Sequence, residues 1–97
     1  MTGEEAISMI CKELRKAENK HPGWPIDPIH ASAIAFEEKG ETAQAAIDFV
    51  YADGSRENMA KEAAHVGAMA IRFLLGIDDY KRTKAGTFLF LFRFRTI

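Results

Sequence analysis

IHASAIAFEEKGETAQAAIDFVY, residues 29–51, is the stretch on which the fold turns. Ile29, Ala33, Ile34, Phe36, Ala43, Ala46, Ile47 and Val50 recur along it at helical spacing. Just before it, Asp27-Pro28 reads as an N-cap followed by proline at the first helical position. The reading is one long helix. Gly40 in its middle costs about 1 kcal/mol relative to alanine. Either a neighbouring helix or ligand approaches closely there, or the glycine is simply tolerated.

Outward from this stretch the chain remains helical. Thr2 and Glu5 form a capping-box pattern, and Ala6, Ile7, Ile10, Cys11 and Leu14 follow at helical spacing, predicting a first helix from about Gly3 to Asn19. His21-Pro22-Gly23-Trp24-Pro25 ends it, because two prolines and a glycine cannot continue a helix. On the other side, Asp53-Gly54-Ser55 is a turn, with Ser55 capping a further helix. Met59, Ala63, Val66, Ala70, Phe73 and Leu74 give that helix its apolar stripe, and Gly76 closes it. Asp78 to Lys84 reads as a polar connector.

The expected architecture is therefore all-α: a helical hairpin plus an N-terminal helix over residues 1–83. An extended, strand-like tail follows over 84–97, where Phe88, Phe90, Phe92 and Phe94 alternate at period two. The second and third helices are apolar over more than one stripe. Self-association, as a homodimer or homotetramer, is expected to complete the bundle.

Composition narrows the function classes. Ninety-seven residues make one domain, and 47% hydrophobic with 28% charged residues describes a globular chain. A net charge of −1 leaves no general electrostatic footprint for nucleic acid or an anionic membrane. The single cysteine, Cys11, excludes an intrachain disulfide and every Cys-rich zinc pattern. No basic start precedes an apolar run, and no apolar run spans a bilayer, so a cytoplasmic location is expected.

Two acidic clusters carry the chemistry. Glu37-Glu38-Lys39-Gly40-Glu41 lies in the long helix and Glu62-Ala63-Ala64-His65 in the next. Residues three or four apart share a helix face, so Glu38 and Glu41 project together, as do Glu62 and His65. Like charges at that spacing repel by a few tenths of a kcal/mol, roughly. A divalent cation relieves the repulsion, because hard ions take carboxylate oxygens.

The order E-x-x-E, about twenty residues, then E-x-x-D resembles the signature of MazG-like nucleoside triphosphate pyrophosphohydrolases. Glu38-Lys39-Gly40-Glu41 matches the first half, with Glu37 giving the doubled-Glu form, and Glu62-Ala63-Ala64-His65 matches all but the last position of the second. His21-Pro22-Gly23-Trp24-Pro25, Ile29-His30-Ala31, the run from Glu41 to Ala46 and that from Ala68 to Phe73 also resemble small phage and bacterial members. The likeness spans about Ile10 to Leu75. It implies an all-α oligomer that hydrolyses nucleoside triphosphates to monophosphate and pyrophosphate with magnesium. Glu38, Glu41 and Glu62 would be metal ligands, with position 65 as the fourth.

Phosphate oxygens repel a nucleophile, so metal ions that neutralise charge and fix geometry suit such a set of side chains. Glu37 is the candidate base, or else a solvent-facing residue. Lys39, Lys61 and Arg72 are candidates to meet phosphates, His30 to cap a helix or contact one, and Trp24 to stack on a base or cover the core's end. Histidine in place of aspartate at 65 removes a charge and an oxygen ligand. Magnesium accepts imidazole poorly, whereas manganese accepts it. Three outcomes stay open: a preference for manganese, magnesium held by three carboxylates and water, or lost catalysis. In the last case the alternative is a degenerate MazG-like oligomer acting as a binding or regulatory module. A plain structural bundle with solvent-facing acids is a third.

Overall fold

A computed structural model describes residues 1–37 and 39–82, with Lys39 described by its backbone alone. Among the described residues four helices follow one another: α1 Gly3–Lys20, α2 Pro28–Phe36, α3 Lys39–Tyr51 and α4 Arg56–Leu75. The all-α reading holds. The extended tail and the boundary drawn before it lie outside the described residues.

Each start follows from its cap. The Thr2 hydroxyl accepts from the Glu5 amide at 3.1 Å while the Thr2 amide donates to the Glu5 carboxylate at 3.2 Å, a complete capping box. Asp27 Oδ1 accepts from the Ile29 amide at 2.9 Å, with Pro28 filling a position whose N–H has no intrahelical partner. Ser55 Oγ accepts from the Asn58 amide at 3.0 Å.

The long helix expected over 29–51 is two. Helix α2 ends at Phe36, Glu37 caps it in a helical-turn conformation, and α3 begins at Lys39. Helix α2 gives way at Glu37, three residues ahead of Gly40. Starting a helix there places Glu41 in the first turn of α3, where the helix dipole favours a carboxylate. Gly40 thereby leaves mid-helix. A Cβ at Gly40 would meet nothing within 4 Å, so no neighbour crowds it.

Helix α4 is the axis of the fold, with α1, α2 and α3 each packed against it. Small residues set the spacing: Ala64 and Ala68 on α4, Ala31 and Ala35 on α2, and Ala45 on α3 are buried. At Gly67 a Cβ would come within 2.9 Å of the Ile10 side chain, which shows how closely α1 approaches α4. Larger apolar residues stay partly outside: Ile29, Phe36, Ile47, Val50, Leu74 and Leu75 are each more than half exposed.

The α3–α4 turn is tight. Asp53 takes φ +58°, and the Gly54 amide donates to the Asp48 carbonyl at 2.9 Å. A Cβ at Gly54 would stand 2.8 Å from the Asp48 carbonyl carbon and the Phe49 nitrogen, both backbone. Gly54→Ala should therefore cost about 2 kcal/mol and lower the Tm by about 10 °C. A Tm within about 2 °C of wild type in a thermal melt would show that the turn relaxes freely.

Residues 76–81, from the closing Gly76 into the stretch after Asp78 read from the sequence as connector, are a strap. The Tyr80 hydroxyl donates to the Phe73 carbonyl at 2.8 Å and accepts from Trp24 Nε1 at 2.9 Å, and the Lys81 amide donates to the Ile26 carbonyl at 3.0 Å. The Phe73 ring stands between those of Phe36 and Tyr80, with centroids 6.3 and 5.0 Å away. The strap thus ties the α1–α2 loop to the C-terminal end of α4.

Candidate functional site

The packing of α1, α2 and the His21–Pro25 loop around α4 leaves a half-open cleft of about 640 Å³. That is the size range of small-molecule sites. Its floor is one face of α4: Lys61, His65, Ala68, Met69 and Arg72 succeed one another at helical spacing. Helix α1 lines it with Glu13, Lys16, Ala17 and Lys20, Glu37 enters from the end of α2, and Trp24 from the loop. Four cationic side chains, Lys16, Lys20, Lys61 and Arg72, stand against the two carboxylates of Glu13 and Glu37. The balance favours an anion with an apolar part.

Of the residues singled out from the sequence, Trp24, Glu37, Lys61, His65 and Arg72 meet in this cleft. Glu41, exposed in the first turn of α3, and Glu62, half-buried on α4, are not among its lining residues. Glu38 and the Lys39 side chain lie outside what is described. His30 is exposed and does not line the cleft.

Arg72 does something other than await a phosphate. It is buried, its Nη2 donates to the carbonyls of His21 at 2.7 Å and Gly23 at 3.2 Å, and its Nη1 donates to that of Ala17 at 3.4 Å. Its guanidinium carbon lies 4.8 Å from the Trp24 ring centroid, a cation–π distance. Arg72 thus fastens the end of α1 and the loop to α4 and holds the indole against the cleft wall.

His65 is held between two carboxylates. Its Nε2 is 2.8 Å from Glu13 Oε2 and its Nδ1 is 3.7 Å from Glu62 Oε2. Partial burial pushes the Glu13 carboxyl up, but Lys16, at 3.3 Å, and His65 outweigh it and hold the group below the usual carboxylate range. Glu13 is accordingly ionised at neutral pH and can only accept. Sequence reading passed over Glu13, although it sits three residues after Ile10 and four before Ala17, on the inward stripe of α1. A carboxylate on an apolar stripe was the available signal.

The fit to a divalent metal is partial and specific. Glu62 Oε2 is buried and has no hydrogen-bond partner, the situation a cation resolves. The Thr42 hydroxyl, beside Glu41, is buried without a partner as well. Among the described residues, no three His, Cys, Asp or Glu side chains gather into a metal-binding group. What the described part contains is a pair of donors, Glu62 and His65, with a carboxylate behind the imidazole.

Comparison with protein-family models, with curated proteins and with solved structures finds no match to this chain. No described helix is long and apolar enough to cross a membrane.

Proposed function

We propose that the chain hydrolyses nucleoside triphosphates to the monophosphate and pyrophosphate in a divalent-metal-dependent reaction. One observation carries the reading most directly: the cleft is lined by an indole, three lysines, Glu37 and His65, whose imidazole has the partnerless Glu62 carboxylate oxygen beside it. An aromatic base can lie against Trp24 while Lys61 and Lys39 draw the polyphosphate toward the start of α3. Glu62 and His65, with Glu38 and Glu41 from the acidic run, are the residues to hold the metal. When bound, the ion would supply charge neutralisation and Lewis acidity at the phosphates. Glu37 stands at the cleft to accept the proton of a water attacking the α-phosphorus, as the bond to the departing pyrophosphate breaks.

The apolar residues exposed on α2, α3 and α4 support self-association as a homodimer or homotetramer, which light scattering measures against the 10.8 kDa of one chain. The pairing of His65 with Glu13 favours one second reading: a scaffold that binds nucleotide without turning it over.

The deciding experiment follows pyrophosphate release from a panel of ribo- and deoxynucleoside triphosphates with magnesium and manganese in parallel. The expected result is release that stops on chelation and is faster with manganese. Nucleotide binding with no release under either metal would establish the second reading instead.

A further inference from the structure

Tryptophan has one polar side-chain atom, the indole nitrogen, and that atom only donates. In Trp24 it is already used. Nε1 donates to the Tyr80 hydroxyl at 2.9 Å, and that hydroxyl donates in turn to the Phe73 carbonyl at 2.8 Å. The edge beside the nitrogen is closed as well. A Cβ at Gly76 would stand 3.1 Å from both Trp24 Cδ1 and the Tyr80 hydroxyl, so the strap backbone lies against that edge. Trp24 nevertheless lines the 640 Å³ cleft, in company with Lys16, Lys20 and Lys61. What it offers a ligand there is ring carbon alone.

We propose that Tyr80 is a positioning residue for substrate recognition: by taking up the indole N–H, it makes Trp24 a surface that reads the ring of a nucleobase and not its hydrogen-bonding edge. The proposal rests on the nucleotide reading of the cleft and adds to it a residue of the strap. Stacking tolerates every base, because every base has a π-face. A free indole N–H would instead favour bases that present an acceptor to it and penalise those that present a donor. As far as Trp24 selects, the substrate class is therefore nucleoside triphosphates of any base, distinguished from other polyphosphates by their aromatic ring.

The hydroxyl that does this is itself fixed. The Tyr80 ring packs against Phe73 with centroids 5.0 Å apart, and the next residue is pinned by its amide to the Ile26 carbonyl at 3.0 Å. Arg72 lies over the indole, 4.8 Å from the ring centroid. Held at its nitrogen and over its ring, Trp24 does not have to be ordered by the ligand, which lowers the cost of binding.

The test measures binding apart from turnover. The α,β-methylene analogues of ATP, GTP, CTP and UTP are inert to the proposed cleavage, since carbon replaces the bridging oxygen that would leave. Calorimetric titration of each into the full chain with magnesium, beside inorganic triphosphate as a probe without a base, gives the affinities. In Tyr80→Phe all four analogues should bind about three- to tenfold more weakly, the equivalent of one hydrogen bond, and by similar factors. Inorganic triphosphate should bind as it does to wild type. Trp24 is the single tryptophan, so its indole N–H gives one NMR cross-peak. That proton should be protected from solvent exchange in wild type with every analogue bound, and lose protection in the variant. Gly76→Ala, which presses on the same two groups, should give the same pattern and serves if Tyr80→Phe does not fold. No binding by wild type, affinities that neither substitution changes, a loss or gain confined to particular bases, or an equal loss for inorganic triphosphate would each overturn the proposal. The expected pattern without pyrophosphate release from the natural nucleotides would uphold it and overturn the hydrolase reading. Release with base-dependent effects of Tyr80→Phe would do the reverse.

Discussion

Replacing Arg72 by methionine is expected to destabilise the protein by about 3 kcal/mol, because hydrogen bonds from a charged donor contribute roughly 1.5–3 kcal/mol each and their loss strands acceptors. For a domain of this size that lowers the Tm by about 15 °C. Methionine fills much of the same volume, so the loss reports on the guanidinium more than on packing. The His21 and Gly23 carbonyls lose the Arg72 donor, that of Ala17 keeps only the His21 amide, and Trp24 loses the cation lying over its ring. Trp24 is the single tryptophan, so its emission reports on the loop directly and should shift to the red as the indole meets water. Arg72→Lys should not rescue the fold, since an ammonium cannot reproduce a planar fork reaching several carbonyls. A Tm within about 3 °C of wild type for Arg72→Met would mean that the strap through Tyr80 anchors the loop unaided.

The same residue shows where a reading of the sequence stops. Arg72 sits on the cleft-facing stripe of α4, and spacing alone allows it to meet a phosphate. That its donors are used by the backbone of a loop about fifty residues earlier depends on how α1 ends and how the His21–Pro25 segment turns back. Local pattern does not encode that. Caps at Thr2, Asp27 and Ser55 were legible because each is a contact within three residues, fixed by the identity of one side chain. The break between α2 and α3 was not legible, because the apolar spacing of 29–51 carries through it. A doubled glutamate followed by glycine is compatible with either a continuous or a divided helix.

The candidate site divides along the same line. Glu62 and His65 are three apart on one helix, and their proximity follows from helical geometry alone. Trp24 and Glu37 are brought to Lys61 by the packing of two separate segments against α4, and the resemblance to a family, not spacing, suggested them together. Glu13 needed the structure, because its partner lies on another helix. Its lowered pKa is a consequence of that approach and of Lys16, and neither is visible in composition.

Glu62→Gln separates function from fold most sharply, because the two expected effects have opposite sign. A metal at a transferring phosphate supplies several kcal/mol of transition-state stabilisation. If Glu62 holds the metal of the proposed hydrolase, its replacement should slow metal-dependent pyrophosphate release by about a hundred- to a thousandfold. Without metal the same substitution should raise stability. Glu62 Oε2 is a buried acceptor without a hydrogen-bond partner, 3.7 Å from His65 Nδ1. A glutamine amide can turn its N–H₂ toward Nδ1 and form the missing hydrogen bond, a gain of about 1 kcal/mol, or about 4–8 °C in Tm. A residue selected for the fold loses stability when replaced, and one kept for chemistry commonly gains it. Lower activity together with a lower Tm would make Glu62 a packing residue of α4. A higher Tm with activity intact would leave electrostatic repulsion with no function behind it. Only the combination of a slower reaction and a firmer apo protein fits a carboxylate held ready for a cation.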